Sequence, residues 1–157
     1  MKEIKYNKLT AIQKKLLDEA DKAKETAYNA YSHFFVGAAI LSNKGEIITG
    51  SNYENAAYGP TVCAERSAIL AANALGIRCF EKVAVIARGQ DFDCKEVTAP
   101  CGVCRQTIFE CSQIAEKDIE VIMSNTKKTK IIIAKISELL PLAYGPKDLG
   151  INVKKFK

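Results

Sequence analysis

Apolar residues recur at Leu9, Ile12, Leu16, Ala20, Ala23 and Ala27, a spacing that puts them along one side of an α-helix, with Asn7 or Thr10 placed to cap its start. The pattern then changes. Phe35 to Leu41 and Ile47 to Gly50 are short apolar runs separated by Asn43-Lys44-Gly45, which predicts two strands joined by a tight turn. Pro60-Thr61 precedes an Ala-rich stretch that stops at Gly76, the punctuation of a helix of about four turns. Lys82 to Ala87 reads as a buried strand, and Pro100 opens another helix whose positions Cys104, Ile108, Cys111 and Ala115 share a face. Ile119 to Met123 and Lys130 to Ala134 bracket the polar Asn125-Thr126-Lys127-Lys128 and predict two further strands; Glu138-Leu139-Leu140-Pro141 predicts a short closing helix. The order describes a layered α/β domain with a mixed sheet of about five strands, because hairpins interrupt the crossovers.

With 157 residues, 48% of them hydrophobic and 26% charged, the chain has the size and apolar content of one domain spanning residues 1–157. No apolar run approaches the roughly 18 residues of a membrane span. The opening MKEIKYNKLT alternates charged and apolar residues and lacks the apolar centre of a signal peptide, so the expectation is a cytoplasmic protein without a membrane partner. Its six cysteines are then expected as thiols serving a metal or the core.

The formal net charge of +5 invites a nucleic-acid reading, which its distribution opposes. Residues 1–25 carry seven Lys against five acids, residues 26–126 eight basic against eleven acidic residues, and residues 127–157 eight Lys against two acids. A groove that follows phosphates would be basic around the chemistry; here the segment holding the candidate site is acidic. The Lys-rich end, about residues 150–157, is expected to be a solvated tail.

Cys101-Gly102-Val103-Cys104 places two sulfurs three residues apart in the first turn of a helix, within reach of one ion. By itself a CxxC is equally a redox dithiol or half of a zinc ribbon. There is no second CxxC and His33 is the single histidine, so a closed four-ligand structural site would need an isolated Cys from elsewhere, and three ligands with an open position is the economical count. Cys63, in Thr61-Val62-Cys63-Ala64-Glu65-Arg66, supplies the third sulfur. Together the two segments read C-x-E followed by P-C-x-x-C, the cysteine form of the zinc-deaminase signature. Both cysteine groups fall at predicted helix N-termini, where free N–H groups and the helix dipole favour thiolates. Arg66 and Arg105 each neighbour a site residue and are candidates to donate hydrogen bonds to the sulfurs. A glutamate in a helix's first turn needs no function, since the dipole favours it there; its place in C-x-E points Glu65 to proton transfer.

With these residues in place, the sequence resembles the small cytidine deaminases of pyrimidine salvage over nearly its whole length. Tyr31-Ser32-His33-Phe34-Phe35-Val36-Gly37-Ala38-Ala39 is similar to that family's first-strand motif, Asn52-Tyr53-Glu54-Asn55-Ala56 to its ribose-binding motif, and Glu138-Leu139-Leu140-Pro141 with Ala143-Tyr144-Gly145-Pro146 to its C-terminal segment. The resemblance implies a three-layer α/β/α fold and one Zn²⁺ per subunit held by Cys63, Cys101 and Cys104, with Glu65 as the catalytic acid–base. It implies that Asn52 and Glu54 grip the sugar hydroxyls, that Phe34 and Ala64 lie against the base, and that the subunits form a homotetramer. Ala56, Tyr58 and Tyr144 would then complete the pockets across an interface. The implied reaction is hydrolytic deamination of cytidine and deoxycytidine. Two departures stand out: Tyr144 replaces a usual Phe and Phe35 a usual Pro. Tyr144 keeps open a deaminase for a modified cytosine nucleoside, and the Lys-rich ends keep open a structural-zinc module binding single-stranded nucleic acid. Cys79, Cys94 and Cys111 have no assigned role.

Overall fold

The computed structural model describes residues 1–157. A six-stranded mixed sheet lies at its centre: β1 (Lys2–Ile4), β2 (Phe34–Ser42), β3 (Ile47–Ser51), β4 (Phe80–Gly89), β5 (Glu120–Ser124) and β6 (Ile131–Lys135), in spatial order β1-β6-β5-β4-β2-β3. Only β4 and β5 are parallel, in register from Lys82 opposite Glu120 to Ile86 opposite Ser124. The helices are α1 (Ala11–Ala23), α2 (Ala64–Ala74), α3 (Gly102–Ala115) and the single turn α4 (Ile136–Leu139).

Side-chain alternation assigns the two faces of the sheet. Ala39, Leu41, Ala84, Ile86, Ile122 and Ile131 pack with Leu16, Leu17 and Ala20 of α1, whereas Ile40, Val83, Val85, Val121 and Met123 pack with Ala68, Ile69 and Ala72 of α2 and Ile108 and Cys111 of α3. This is the expected α/β/α layering. Two glycines set how closely helices approach the sheet: a Cβ at Gly37 would lie 2.0 Å from the Ala20 carbonyl oxygen of α1, and one at Gly50 would lie 2.4 Å from Ala68 N of α2.

The helix ends follow the chemistry of caps. Thr10 caps α1 and forms a capping box with Gln13, so of the two candidate caps Thr10 is the one used. α2 starts at Ala64, later than Pro60 suggests, because Val62 first pairs with Tyr53 in an isolated bridge, and the chain leaves α2 through Gly76 at φ +76°. Two features go beyond the predicted elements. The short edge strand β1 pairs antiparallel with β6 through Lys2–Ile133 to Ile4–Ile131. The Lys-rich end is no free solvated tail: Val153–Phe156 forms a 3₁₀ turn, and Lys154 and Lys157 both ion-pair with Glu116, just beyond the end of α3. No helix is long and apolar enough to cross a membrane.

Candidate active site

α3 connects the C-terminal end of β4 to the N-terminal end of β5, so its first turn lies at the end of the sheet where β4 finishes. The first turn of α2 passes over Gly50 in β3, whose C-terminal residue Ser51 pairs with Gly37 in β2. Two helix N-termini therefore reach the same face and end of the sheet, as ligand sites do at the carboxyl ends of parallel strands.

Cys63 is the N-cap residue of α2, Cys101 the N-cap residue of α3, and Cys104 follows in the first turn of α3. Neither N-cap sulfur accepts a capping hydrogen bond. The three sulfurs lie within 4.8 Å of one another, and Cys63 Sγ is 3.8 Å from Cys101 Sγ. Tetrahedral zinc with Zn–S bonds of about 2.3 Å holds its sulfurs about 3.8 Å apart, so the donor set fits that ion. Cys104 is buried and Cys101 exposed, which closes the site on one side and leaves it open on the other.

Hydrogen bonding from the Cys104 thiol, reinforced by Cys101 and the charge of Arg66, outweighs burial and brings Cys63 down to about 6. Cys104 is pushed far up, first by its contact with Cys63 and then by burial and the nearby Glu65. In the metal-free chain Cys63 therefore releases its proton before Cys104. Glu65, in the first turn of α2, is only 3% exposed. Burial, with the charge of Cys63 adding to it, pushes its carboxyl above the usual carboxylate range. A carboxyl whose charged form is disfavoured in this way is suited to accepting a proton and passing it on. Ala64, between Cys63 and Glu65, is fully buried.

Arg105 differs from expectation. Its Nε donates to the Pro100 carbonyl at 2.9 Å and its Nη1 to the Leu139 carbonyl at 3.0 Å, so it ties the segment before Cys101 to α4 instead of bonding a sulfur. Arg66 acts on Cys63 through its charge.

Beyond β3 the chain runs on as an extended segment that pairs on both sides. Tyr28 N donates to Asn52 O at 3.0 Å and Glu54 N to Tyr28 O at 2.8 Å, while Tyr53 and Val62 exchange two bonds of 2.9 Å. Asn52 and Glu54 are thereby placed beside the entry to α2. Both are buried and already bonded. The Asn52 side chain accepts from Val36 N and donates to Phe34 O, each at 2.9 Å. One Glu54 oxygen accepts from Tyr31 N at 2.9 Å and Ser32 N at 3.1 Å, and the other accepts from the Ser32 hydroxyl. Burial alone would raise the Glu54 carboxyl, but these donors together hold it below its usual range. Tyr31, Ser32, Glu54, Asn55, Tyr58 and Thr61 line a cleft of about 340 Å³.

Phe34, by its alternation with Val36 and Ile40, faces the side of the sheet that carries α2 and α3. Phe35 faces the other side, where the Arg88 guanidinium sits 3.9 Å from its ring centre and pairs with Glu25. That departure from the family motif thus packs away from the site. Ala56, Tyr58 and Tyr144 are exposed in the single chain; Tyr58 stands at φ +57°, and the Tyr144 carbonyl accepts from Gln106 Nε2 at 2.7 Å. Cys111 is buried in the core with its thiol pushed up to about 12 by burial.

Residues 10–119 match the family model described as the cytidine and deoxycytidylate deaminase zinc-binding region. A cytidine deaminase of Halalkalibacterium halodurans is 42% identical over 135 residues, covering 86% of this chain and 96% of that protein. One of Sporosarcina psychrophila is 41% identical over 136 residues, covering 87% and 93%. The crystal structure of cytidine deaminase from Burkholderia pseudomallei superposes with a TM-score of 0.75 at 36% identity, covering 87% of this chain and 100% of that one.

Proposed function

The chain belongs to the cytidine and deoxycytidylate deaminase family, and from that premise we propose that it is a single-domain, zinc-dependent enzyme that hydrolyses cytidine and deoxycytidine to uridine and deoxyuridine, releasing ammonia. The observation that carries this reading is the convergence of three sulfurs and one buried carboxyl at two helix N-termini.

Cys63, Cys101 and Cys104 would hold the ion, one per subunit. Zinc, when bound, supplies the Lewis acidity that brings the pKa of a water molecule near neutrality. Glu65 takes the proton of that water and carries it to N3 of the base as the oxygen adds to C4. It then takes the second proton from the hydroxyl now on C4 and hands it to the exocyclic nitrogen, so that the C4=O bond forms as the C4–N bond breaks and ammonia leaves. Asn52 and Glu54 hold the sugar hydroxyls, an amide being able to donate and accept and a carboxylate to accept. Phe34 and Ala64 lie against the base. Ala56, Tyr58 and Tyr144 project from the single chain and would complete the pocket of a neighbour in a homotetramer. The setting is pyrimidine salvage in the cytoplasm.

Ultraviolet monitoring of zinc-loaded protein with cytidine, and with its 5′-monophosphate alongside, tests the reading. Cytidine is converted in a chelator-sensitive way and the nucleotide poorly. Glu65→Gln retains zinc and loses about 10²–10⁴-fold in kcat, the range of a general acid–base. Full turnover by that variant, or none by the wild type, overturns the assignment.

A further inference from the structure

The connection from β4 to α3 contains a large apolar side chain that neither the core nor the family signature uses. Phe92 is 63% exposed, flanked by Asp91 and Asp93 at the tip of the loop. Its position is nevertheless fixed. Gly89 N donates to Phe92 O at 2.9 Å and closes a tight turn at the end of β4. The stem beyond is pinned by Cys94 N donating to Thr126 Oγ1 at 2.8 Å, by the Thr126 hydroxyl donating to Ala87 O at 2.6 Å, and by Thr98 N donating to Ser124 O at 3.1 Å.

The direction of the ring follows from strand alternation. Gly89 lies in step with Val83 and Val85, which face α2 and α3, and it pairs across the ladder with Phe34. A Cβ at Gly89 would point to that same face and would lie 2.1 Å from the Phe92 ring. The absence of a side chain at Gly89 is therefore what lets Phe92 fold over the sheet end, where its ring stands 6.4 Å from that of Phe34 with the planes 31° apart. Phe92, Phe34 and the two helix N-termini that bear the cysteines share one face and one end of the sheet.

We infer that Phe92 is a positioning residue for the pyrimidine base: it backs Phe34 and extends the aromatic wall outward from the metal-binding cysteines towards the mouth of the pocket. An apolar ring held mostly in water between two carboxylates has little to gain in the free chain. It gains when a flat, uncharged heterocycle covers it, and the flanking Asp91 and Asp93 disfavour anionic ligands at the same mouth. This inference rests on the deaminase reading, in which Phe34 lies against the base.

The test uses the full-length zinc-loaded enzyme with Phe92→Ala, Phe92→Leu and Phe92→Tyr. Phe92→Ala raises KM for cytidine by roughly three- to tenfold, the worth of one aromatic contact, with kcat within about twofold of wild type. Uridine affinity, measured by calorimetry, falls by the same factor. Phe92→Tyr restores both values and Phe92→Leu falls between. Unchanged KM and uridine affinity in Phe92→Ala overturn the inference while leaving an active wild type, and the deaminase reading, intact. A KM change that accompanies subunit dissociation on size exclusion also overturns it, since the ring would then serve an interface. A wild type inactive on cytidine removes the deaminase reading and this inference with it.

Discussion

Gly50 lies outside the cysteine motifs, yet the structure makes it a determinant of their geometry. An added Cβ would stand 2.4 Å from Ala68 N and 2.7 Å from Ala64 O, both backbone atoms of α2. Backbone cannot rotate away as a side chain would, so ordinary contact at 3.4 Å requires the first half of α2 to lift by about 1 Å. That half carries Cys63 and Glu65, while Cys101 and Cys104 stay on α3. Metal sites tolerate errors of only about 0.2 Å in ligand distance, so Gly50→Ala weakens zinc binding by about 10–100-fold, comparable with losing a supporting contact. Overpacking itself costs about 1–3 kcal/mol, and each kcal/mol moves the midpoint of a chain this size by roughly 2–4 °C. The metal-free variant therefore melts about 3–10 °C lower. Gly102→Ala, inside the CxxC segment, is the control: a Cβ there meets nothing within 4 Å and Gly102 has no left-handed φ, so stability and zinc affinity stay at or above wild type. Circular-dichroism melts with and without chelator, and zinc affinity by competition with a chelating dye, read both effects. Wild-type melting and zinc affinity in Gly50→Ala would refute the reasoning.

Three further outcomes follow from the same geometry. Glu54→Gln keeps the shape of the side chain but removes the charge that accepts from the Ser32 hydroxyl and two backbone N–H groups; steady-state kinetics should show KM raised about 10–100-fold, the worth of a charged hydrogen bond, with zinc content unchanged. In chelator-stripped protein at pH 7, alkylation followed by mass spectrometry should modify Cys63, whose thiol sits at about 6, well ahead of the buried Cys104 and Cys111, whose thiols are pushed up; equal rates for these three, or no protection of Cys63 by zinc, would contradict the site. Arg88 holds Glu25 at about 2, so that pair stabilises the fold fully above the unfolded carboxyl's pKa of about 4.5 and loses its effect as pH falls towards 2. Because Glu25 is half exposed the contribution is under about 1 kcal/mol, and Arg88→Ala should raise the Glu25 titration, followed by NMR, towards the ordinary carboxylate range, with Lys24 at 3.2 Å still holding it somewhat below.

The sequence was most legible where local periodicity and local chemistry agree. α1, the β2–β3 hairpin and α3 appear within a few residues of their predicted bounds, since each is specified by its own caps, turn residues and apolar spacing. Cys63, Cys101 and Cys104 converge because each sits at or next to a helix start, a feature visible in Pro100 and in the Ala-rich run after Cys63. What stayed hidden depends on partners distant in sequence. Lys2–Ile4 is too short and too charged to announce a strand, and exists as one through its ladder with Ile131–Ile133. Arg105 reads as a neighbour of Cys104, but its guanidinium finds the carbonyl of Leu139, 34 residues away. Phe92 in a polar loop resembles any stray aromatic; only the register that sets Phe34 opposite Gly89 shows what it touches.

The charges of the site favour a neutral ligand over a phosphorylated one. Zinc with three thiolates carries a net charge of −1, and the positive ends of α2 and α3 are directed at those sulfurs, leaving no helix dipole free for a phosphate. Glu54 adds a carboxylate kept ionised by its three donors, and no Lys or Arg lines the cleft it shares with Tyr31, Ser32, Asn55, Tyr58 and Thr61. In the loop between β4 and α3, Asp93 is partly neutralised by Lys127 at 3.0 Å, whereas Asp91 has no ion-pair partner. An approaching phosphate would therefore meet negative charge from the three sulfurs, from Glu54 and from the loop tip. Several of the basic residues in the Lys-rich C-terminal part are engaged elsewhere: Lys154 and Lys157 at Glu116, Lys128 at Asp18 and Asp21, and Lys130 at Glu96. Net charge and site charge thus have opposite signs here, and the site charge is the one a substrate encounters.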